Sequence, residues 1–193
     1  INRQAHDMLS YDLVVLQYGL NIMMPGQRNF SKYRDQLRDM IAYTERCFPN
    51  AAILVLGVSD RWIKDEETGR FKPIGSVDAL TRHQRAAADS SRVAFWNTSE
   101  AMADLGGMPA FVRNGWAAGD YTHLNYAGGR RIAEALARSI RKAVYDCLVE
   151  REQRRMEEEL IRQMRIDLNI ANQREAVTPI INAIKESLPT DVE

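Results

Sequence analysis

Cysteine is nearly absent. The chain holds 2 cysteines, Cys47 and Cys147, far apart and in no Cys-x-x-Cys or zinc-ligand spacing, so neither a structural metal site nor a redox motif is supported. Each falls inside or at the end of a helical pattern and is expected to be a small buried hydrophobe rather than half of a disulfide. Net charge is absent too: 26 Lys+Arg balance 26 Asp+Glu, so the global field that draws proteins to nucleic acid or anionic lipid is missing. There is no apolar run long enough for a signal-peptide core or a membrane span. Nor is there a methionine at position 1, where the chain has Ile1, and its first residue is expected not to be the start of the gene product. What remains is ordinary for a globular chain: 45% hydrophobic and 27% charged residues exclude disorder and collagen-like repeats. At 193 residues it can form one domain with a real core, or a smaller domain plus an extension.

Short apolar runs at Asp12 to Gly19 (DLVVLQYG), Ala51 to Val58 (AAILVLGV) and Arg92 to Thr98 (RVAFWNT) each fit a strand buried on both faces. Between them lie helical patterns. Phe30 to Phe48 carries Tyr33, Leu37, Met40, Ile41 and Thr44 at three and four spacing, with Ser31 available as a cap; Ser76 to Ser90 repeats the idea with Val77, Leu80 and Ala86 to Ala88. Strand, helix, strand, helix, strand predicts an α/β fold: a parallel sheet with helices on both faces. After Asn125 one very long helix is expected, to about Ile170. Ile132, Leu136, Ile140, Val144 and Leu148 recur at i, i+4 as a stripe that should pack on the sheet. Met156, Leu160 and Met164 continue an i, i+4 line within a field of mixed charge, which reads equally as a solvated helix with ion pairs or as an arm that packs on another chain. Thr178-Pro179 signals a separate last helix, stopping before Pro189.

Two places carry candidate chemistry. Tyr18-Gly19-Leu20-Asn21 closes the first strand, where an open parallel sheet gathers its functional groups; the glycine lets backbone approach a ligand and the asparagine supplies an amide donor. A plain turn has the same look. The second is Gly119-Asp120-Tyr121-Thr122-His123-Leu124-Asn125, before the long helix. An Asp and a His three residues apart on a turn can set a carboxylate beside Nδ1, leaving Nε2 as a general base, while Asp120 or Asn125 acting only as a helix cap is the competing reading.

The two segments together resemble the SGNH (GDSL-like) hydrolases. YDLVVLQYGLN looks like the segment bearing that family's Gly-x-Asn, DYTHLNYAGGRRIAEAL like its Asp-x-x-His with the final helix, and LGVSDR is similar to the stretch after the middle strand in bacterial relatives. The resemblance runs from about Tyr11 to Ile140. It implies a three-layer, flavodoxin-like parallel sheet over residues 1–145 and a helical extension over 146–193. It also implies ester hydrolysis by a Ser-His-Asp mechanism, with His123 as base, Asp120 as its orienting partner, and Gly19 and Asn21 in the oxyanion hole. No metal or organic cofactor is required. The substrate implied is a small acyl ester, such as O-acetyl on a carbohydrate or peptidoglycan, and the location implied is periplasmic or secreted.

The chain departs from the family at its nucleophile. No Gly-Asp-Ser occurs, the only Gly-Asp leads into Tyr121, and Ser10, Ser31, Ser59, Ser76 and Ser99 do not match the motif. The N-terminal strands of the family's sheet are likewise not matched, and Leu13 to Leu16 has no earlier strand to pair with. A preceding segment or a second chain is therefore expected to complete the sheet and supply the serine. The rival from another class is a non-catalytic binding or assembly module that forms homo-oligomers through the long helix. A flavodoxin-like nucleotide or receiver domain would want a phosphate loop or acidic strand ends; Gly128-Gly129 lacks the lysine and preceding strand of such a loop. Asp60 and Arg61 could touch substrate at the sheet's carboxyl edge but read more simply as a local ion pair or turn, Trp62, Trp96 and Trp116 could line a carbohydrate cleft but read by default as core or loop anchors, Met23 to Gly26 as a mobile lip, and His6 and His83 as structural or surface residues.

Overall fold

The computed structural model describes residues 11–187, of which the three apolar runs form one parallel sheet in the order β1, β2, β5. Strand β1 is Leu13–Gln17, β2 is Ala52–Leu56 and β5 is Ala94–Trp96. Leu13 to Gln17 pair in register with Ala52 to Leu56, and Leu54 to Leu56 with Ala94 to Trp96. Helix α1 (Ser31–Cys47) follows β1, and α2 (Val77–Ser90) precedes β5. Period two on the strands meets period 3.6 on the helices. Val14, Leu16, Ile53 and Val55 turn to one face of the sheet, where Leu37 and Ile41 of α1 and Ala87 and Ala88 of α2 pack against them. Leu37 and Ile41 are essentially inaccessible, and each such aliphatic contributes about 1.5–3 kcal/mol relative to exposure.

Only the central strand is buried on both faces. Ile53 through Leu56 are all buried, whereas Leu13 and Val15 of β1 are 44% and 45% exposed and no residue of β5 is buried, which corrects the expectation for the first and third runs. β2 has a neighbour on each side and β1, among the described residues, on one.

A hairpin that the apolar pattern does not announce is inserted after β2. Strands β3 (Trp62–Lys64) and β4 (Phe71–Pro73) pair antiparallel, Trp62 opposite Pro73 and Lys64 opposite Phe71. Asp65 organises the loop between them. Its Oδ1 accepts from the Glu67 and Thr68 N–H groups and from the Thr68 hydroxyl, and its other oxygen pairs with Lys72. Those contacts hold the Asp65 carboxyl well below the ordinary range.

After β5 come two short helices, α3 (Thr98–Ala103) and α4 (Gly107–Arg113), the first capped by Asn97, whose side chain accepts from the Glu100 N–H. Met102, Met108, Phe111, Ala117 and Ile132 form another core cluster, with Trp62, Trp96 and Trp116 partly buried against it, so the tryptophans are anchors. Helix α5 is Tyr126–Ser187. The chain divides into two units, Ile1–Arg138 and Ser139–Glu193. In the second, exposed pairs such as Lys142 with Asp146 and Arg155 with Glu152 line the helix, and Met156, Leu160 and Met164 are exposed.

Several local expectations are corrected. Ser31 is the first residue of α1 and not its cap; the Asn29 side chain accepts from the Ser31 N–H at 2.9 Å instead. Thr178 starts no new helix: its hydroxyl donates back to the Arg174 carbonyl and Pro179 lies within α5. Pro189 and His6 lie outside the described residues. The stripe is buried only at its start, with Ile132 at 8% exposure and Ile140, Val144 and Leu148 exposed. A strict four-residue step advances about 40° beyond a full turn, so such a line does not stay on one helix face. Cys47 is buried as expected, but Cys147 is exposed. Met23 of the expected lip is core.

Candidate functional site

Gly19, two residues beyond β1, adopts a conformation that a side chain would resist, with φ of 111°. Space is tight there as well, since an added Cβ would lie 2.9 Å from the Tyr33 hydroxyl and 3.3 Å from Gln84 Nε2. The reversal at Gly19 starts a single 3₁₀ turn, Leu20–Ile22. Asn21 is exposed on that turn, and its side chain makes no hydrogen bond among the described residues. A depression of about 680 Å³ opens beside it, bordered by Tyr18, Gly19, Asn21, Tyr33, Met40 and Ser59.

Gln84 of α2 fixes this strand end from beneath. Fully buried, it donates from Nε2 to the Tyr18 carbonyl at 2.8 Å and to the Tyr33 hydroxyl at 3.3 Å, and accepts from the Val58 N–H at 3.0 Å. Tyr33 in turn donates to the Tyr18 carbonyl at 3.1 Å. Burial pushes the Tyr33 phenol above its ordinary value, which keeps it a donor. One side chain thus ties the carboxyl ends of β1 and β2, a role not assigned from sequence. The signal was present: Gln84 lies on the i, i+4 line of Leu80 and Ala88, a polar residue on an apolar face.

The second candidate segment is a tight reversal closed by the Ala117 to Leu124 bridge and by the Ala118 N–H donating to the His123 carbonyl at 2.8 Å. Asp120 Oδ1 accepts from the N–H groups of Thr122 (2.9 Å) and His123 (3.0 Å), while Oδ2 lies 2.7 Å from His123 Nδ1. The histidine contact first, and the two N–H bonds with it, pull the Asp120 carboxyl down to about 2. The His123 side chain is 73% exposed, and its Nε2 has no partner among the described residues. Asn125, not Asp120, caps α5, accepting from the Gly128 N–H at 3.1 Å and donating to the Gly115 carbonyl at 2.7 Å.

Gly19 and Asn21 therefore share one turn, and Asp120 and His123 form a contact pair. The segment after β2 joins the two places. Arg61 Nη1 donates to the Leu20 carbonyl at 3.1 Å, and the Trp62 N–H donates to the Tyr121 carbonyl at 3.0 Å. Asp60 makes no ion pair with Arg61; its Oδ2 accepts from Trp62 Nε1 at 3.2 Å and the Met108 N–H at 2.8 Å. His83 packs edge-on to Phe30. Among the described residues no group of three or more His, Cys, Asp or Glu side chains is placed to hold a metal ion, and no helix is long and apolar enough to cross a membrane.

The parallel α/β sheet gives the chain an SGNH-like fold, which it shares with a solved esterase structure. A solved structure described as a peptidoglycan O-acetylesterase is similar at 27% identity and a TM-score of 0.61, over 70% of this chain and 38% of its own. Another solved chain is similar at 15% identity and a TM-score of 0.54, over 72% of this chain and 69% of its own. A structure described as a GDSL-like lipase, from Parabacteroides merdae, matches at 16% identity with a TM-score of 0.48, over 64% and 57%. The chain thus spans 38% of the length of the O-acetylesterase it matches. No protein-family profile and no curated protein matches it.

Proposed function

We propose that this chain is part of an ester hydrolase, in which His123 is the general base, Asp120 orients it, and Asn21 with the Gly19 turn supplies oxyanion donors. The observation that carries the proposal is the 2.7 Å contact of Asp120 Oδ2 with His123 Nδ1, with Oδ1 held by two backbone N–H groups. A carboxylate so fixed selects the Nδ1–H tautomer and leaves Nε2 free to accept a proton. A serine hydroxyl is a weak nucleophile until such a base takes its proton. Attack on the ester carbonyl then builds negative charge on its oxygen, where the Asn21 amide is suited to donate. His123 returns the proton to the departing alkoxide, and water repeats the cycle to release the acid.

The serine lies outside these residues in this proposal, on a strand that pairs with the edge of β1 left open among the described residues. The substrate is a small acyl ester on a glycan. Its support is the likeness to a peptidoglycan O-acetylesterase. The test is acetate release from O-acetylated peptidoglycan by the protein expressed with the coding sequence upstream of Ile1, together with labelling by an alkyl phosphonate. Acetate release with the label on a serine outside this chain is the expected result. Labelling of Ser59 or another serine of this chain, or no acetate from either the glycan or an aryl acetate, would overturn it. The exposed Met156, Leu160 and Met164 favour self-association through the second unit as a further role, expected as concentration-dependent sedimentation that charged substitutions at those positions abolish.

A further inference from the structure

His123 is an exposed side chain on a loop, so packing around its own ring does not orient it; its orientation comes from Asp120 and the path of the backbone between them. That path turns at Tyr121, one of two non-glycine residues with positive φ among the described residues, at 55°. A tyrosine is strained there, and it keeps such a conformation only where its surroundings hold it. Apart from its own N–H, which donates to the Ala118 carbonyl at 3.1 Å, its surroundings are the β3–β4 hairpin. The Tyr121 ring stacks on Phe71, with centroids 4.1 Å apart and planes 18° from parallel, and its carbonyl accepts from the Trp62 N–H. The hairpin is itself pinned at its base, where Ile74 N–H donates to the Arg61 carbonyl and Asp60 accepts from Trp62 Nε1 and the Met108 N–H. Neither Phe71 nor this insertion takes part in the catalytic steps proposed above.

We propose that Phe71 is a positioning residue, which by stacking on Tyr121 holds the left-handed turn that sets the Asp120 carboxylate against His123 Nδ1. The Asx turn of Asp120 onto Thr122 and His123 is local and forms in many loops without a platform. What the hairpin adds is persistence of one loop conformation, and with it one tautomer of the imidazole. The catalytic meaning of the inference rests on His123 being the base; the geometric claim does not.

The test reads the tautomer directly. In this chain, nitrogen-15 spectra of the histidine rings at roughly pH 9, well above the ordinary imidazole value of about 6.5, should show His123 predominantly protonated on Nδ1. Phe71→Leu should lose that predominance and fall toward the mixture of a free imidazole, with His83 unchanged as the internal reference. Phe71→Tyr keeps the stacked ring and should retain the original spectrum. Tyr121→Leu removes the same contact from the loop side, and decides the matter if Phe71→Leu does not fold. A folded Leu variant with the original His123 tautomer would overturn the proposal and leave the hydrolase reading standing. Absence of esterase activity in the longer protein would do the reverse, since the tautomer measurement needs no substrate.

Discussion

Adjacent glycines at the start of α5 should respond to alanine in opposite directions. Gly128 is buried against the Trp116 backbone, and an added Cβ would sit 2.0 Å from the Trp116 carbonyl oxygen and 3.0 Å from its carbon. Backbone cannot swing aside as a side-chain tip can, so the helix start must move away from residue 116. That movement pulls on the Asn125 N–H bond to the Trp116 carbonyl and on the Asn125 amide bond to Gly115. Overpacking of this kind costs about 1–3 kcal/mol, each lost hydrogen bond about 1 kcal/mol, and the better helix propensity of alanine returns up to about 1 kcal/mol. The net expectation for Gly128→Ala is a loss of about 3 kcal/mol. Gly129 is exposed, and a Cβ added there would meet nothing within 4 Å, so Gly129→Ala should gain about 0.5–1 kcal/mol. Urea unfolding followed by tryptophan fluorescence is the suitable assay, because Trp62, Trp96 and Trp116 all belong to the Ile1–Arg138 unit. Equal effects of the two substitutions, or a stabilised Gly128→Ala, would refute the packing of α5 on residue 116.

Gln84→Leu keeps the volume but orphans the buried Val58 N–H, while the Tyr18 carbonyl retains the Tyr33 hydroxyl; a loss of about 1–3 kcal/mol is expected in the same assay, and a neutral result would contradict the strand-end network. In the chain joined to whatever supplies the serine, Asn21→Ala should lower kcat by about 10²–10³ if it is an oxyanion donor, and an unchanged kcat removes it from the mechanism. Because the Asp120 carboxyl is drawn down to about 2, it stays ionised through the working range. Its share in stabilising the loop is present above its ordinary value and lost only as pH falls through about 2. The activity profile should therefore show no inflection near the ordinary carboxylate value of about 3.9, and one there that disappears in Asp120→Asn would contradict the pairing.

Much of the fold is legible in the chain because β1, β2 and β5 are apolar runs separated by amphipathic helices, and burial on one face suffices to set them. The hairpin is not. Trp62-Ile63-Lys64 and Phe71-Lys72-Pro73 are three residues each, carry lysine and proline, and owe their pairing to Asp65, a turn centre whose partners cannot be counted from spacing. The cap at Ser31 fails because the helix has already begun there, the Ser31 N–H itself being taken by the Asn29 side chain. At the site, the Asp120 to His123 contact is local in sequence and so is readable from their spacing. Gln84, Arg61 and Phe71 act across 66, 41 and 50 residues, on Tyr18, Leu20 and Tyr121 respectively, and no local pattern exposes such reach.

The central claim is that His123 is the base of an esterase site. Its most direct test is kcat/KM for an aryl acetate, measured on the chain joined to the segment or second chain that supplies the serine, with and without His123→Ala. A fall of roughly 10²- to 10⁴-fold, with the folded state intact by tryptophan fluorescence, is the predicted result. Full activity in the alanine variant would take His123 out of the chemistry and contradict the account.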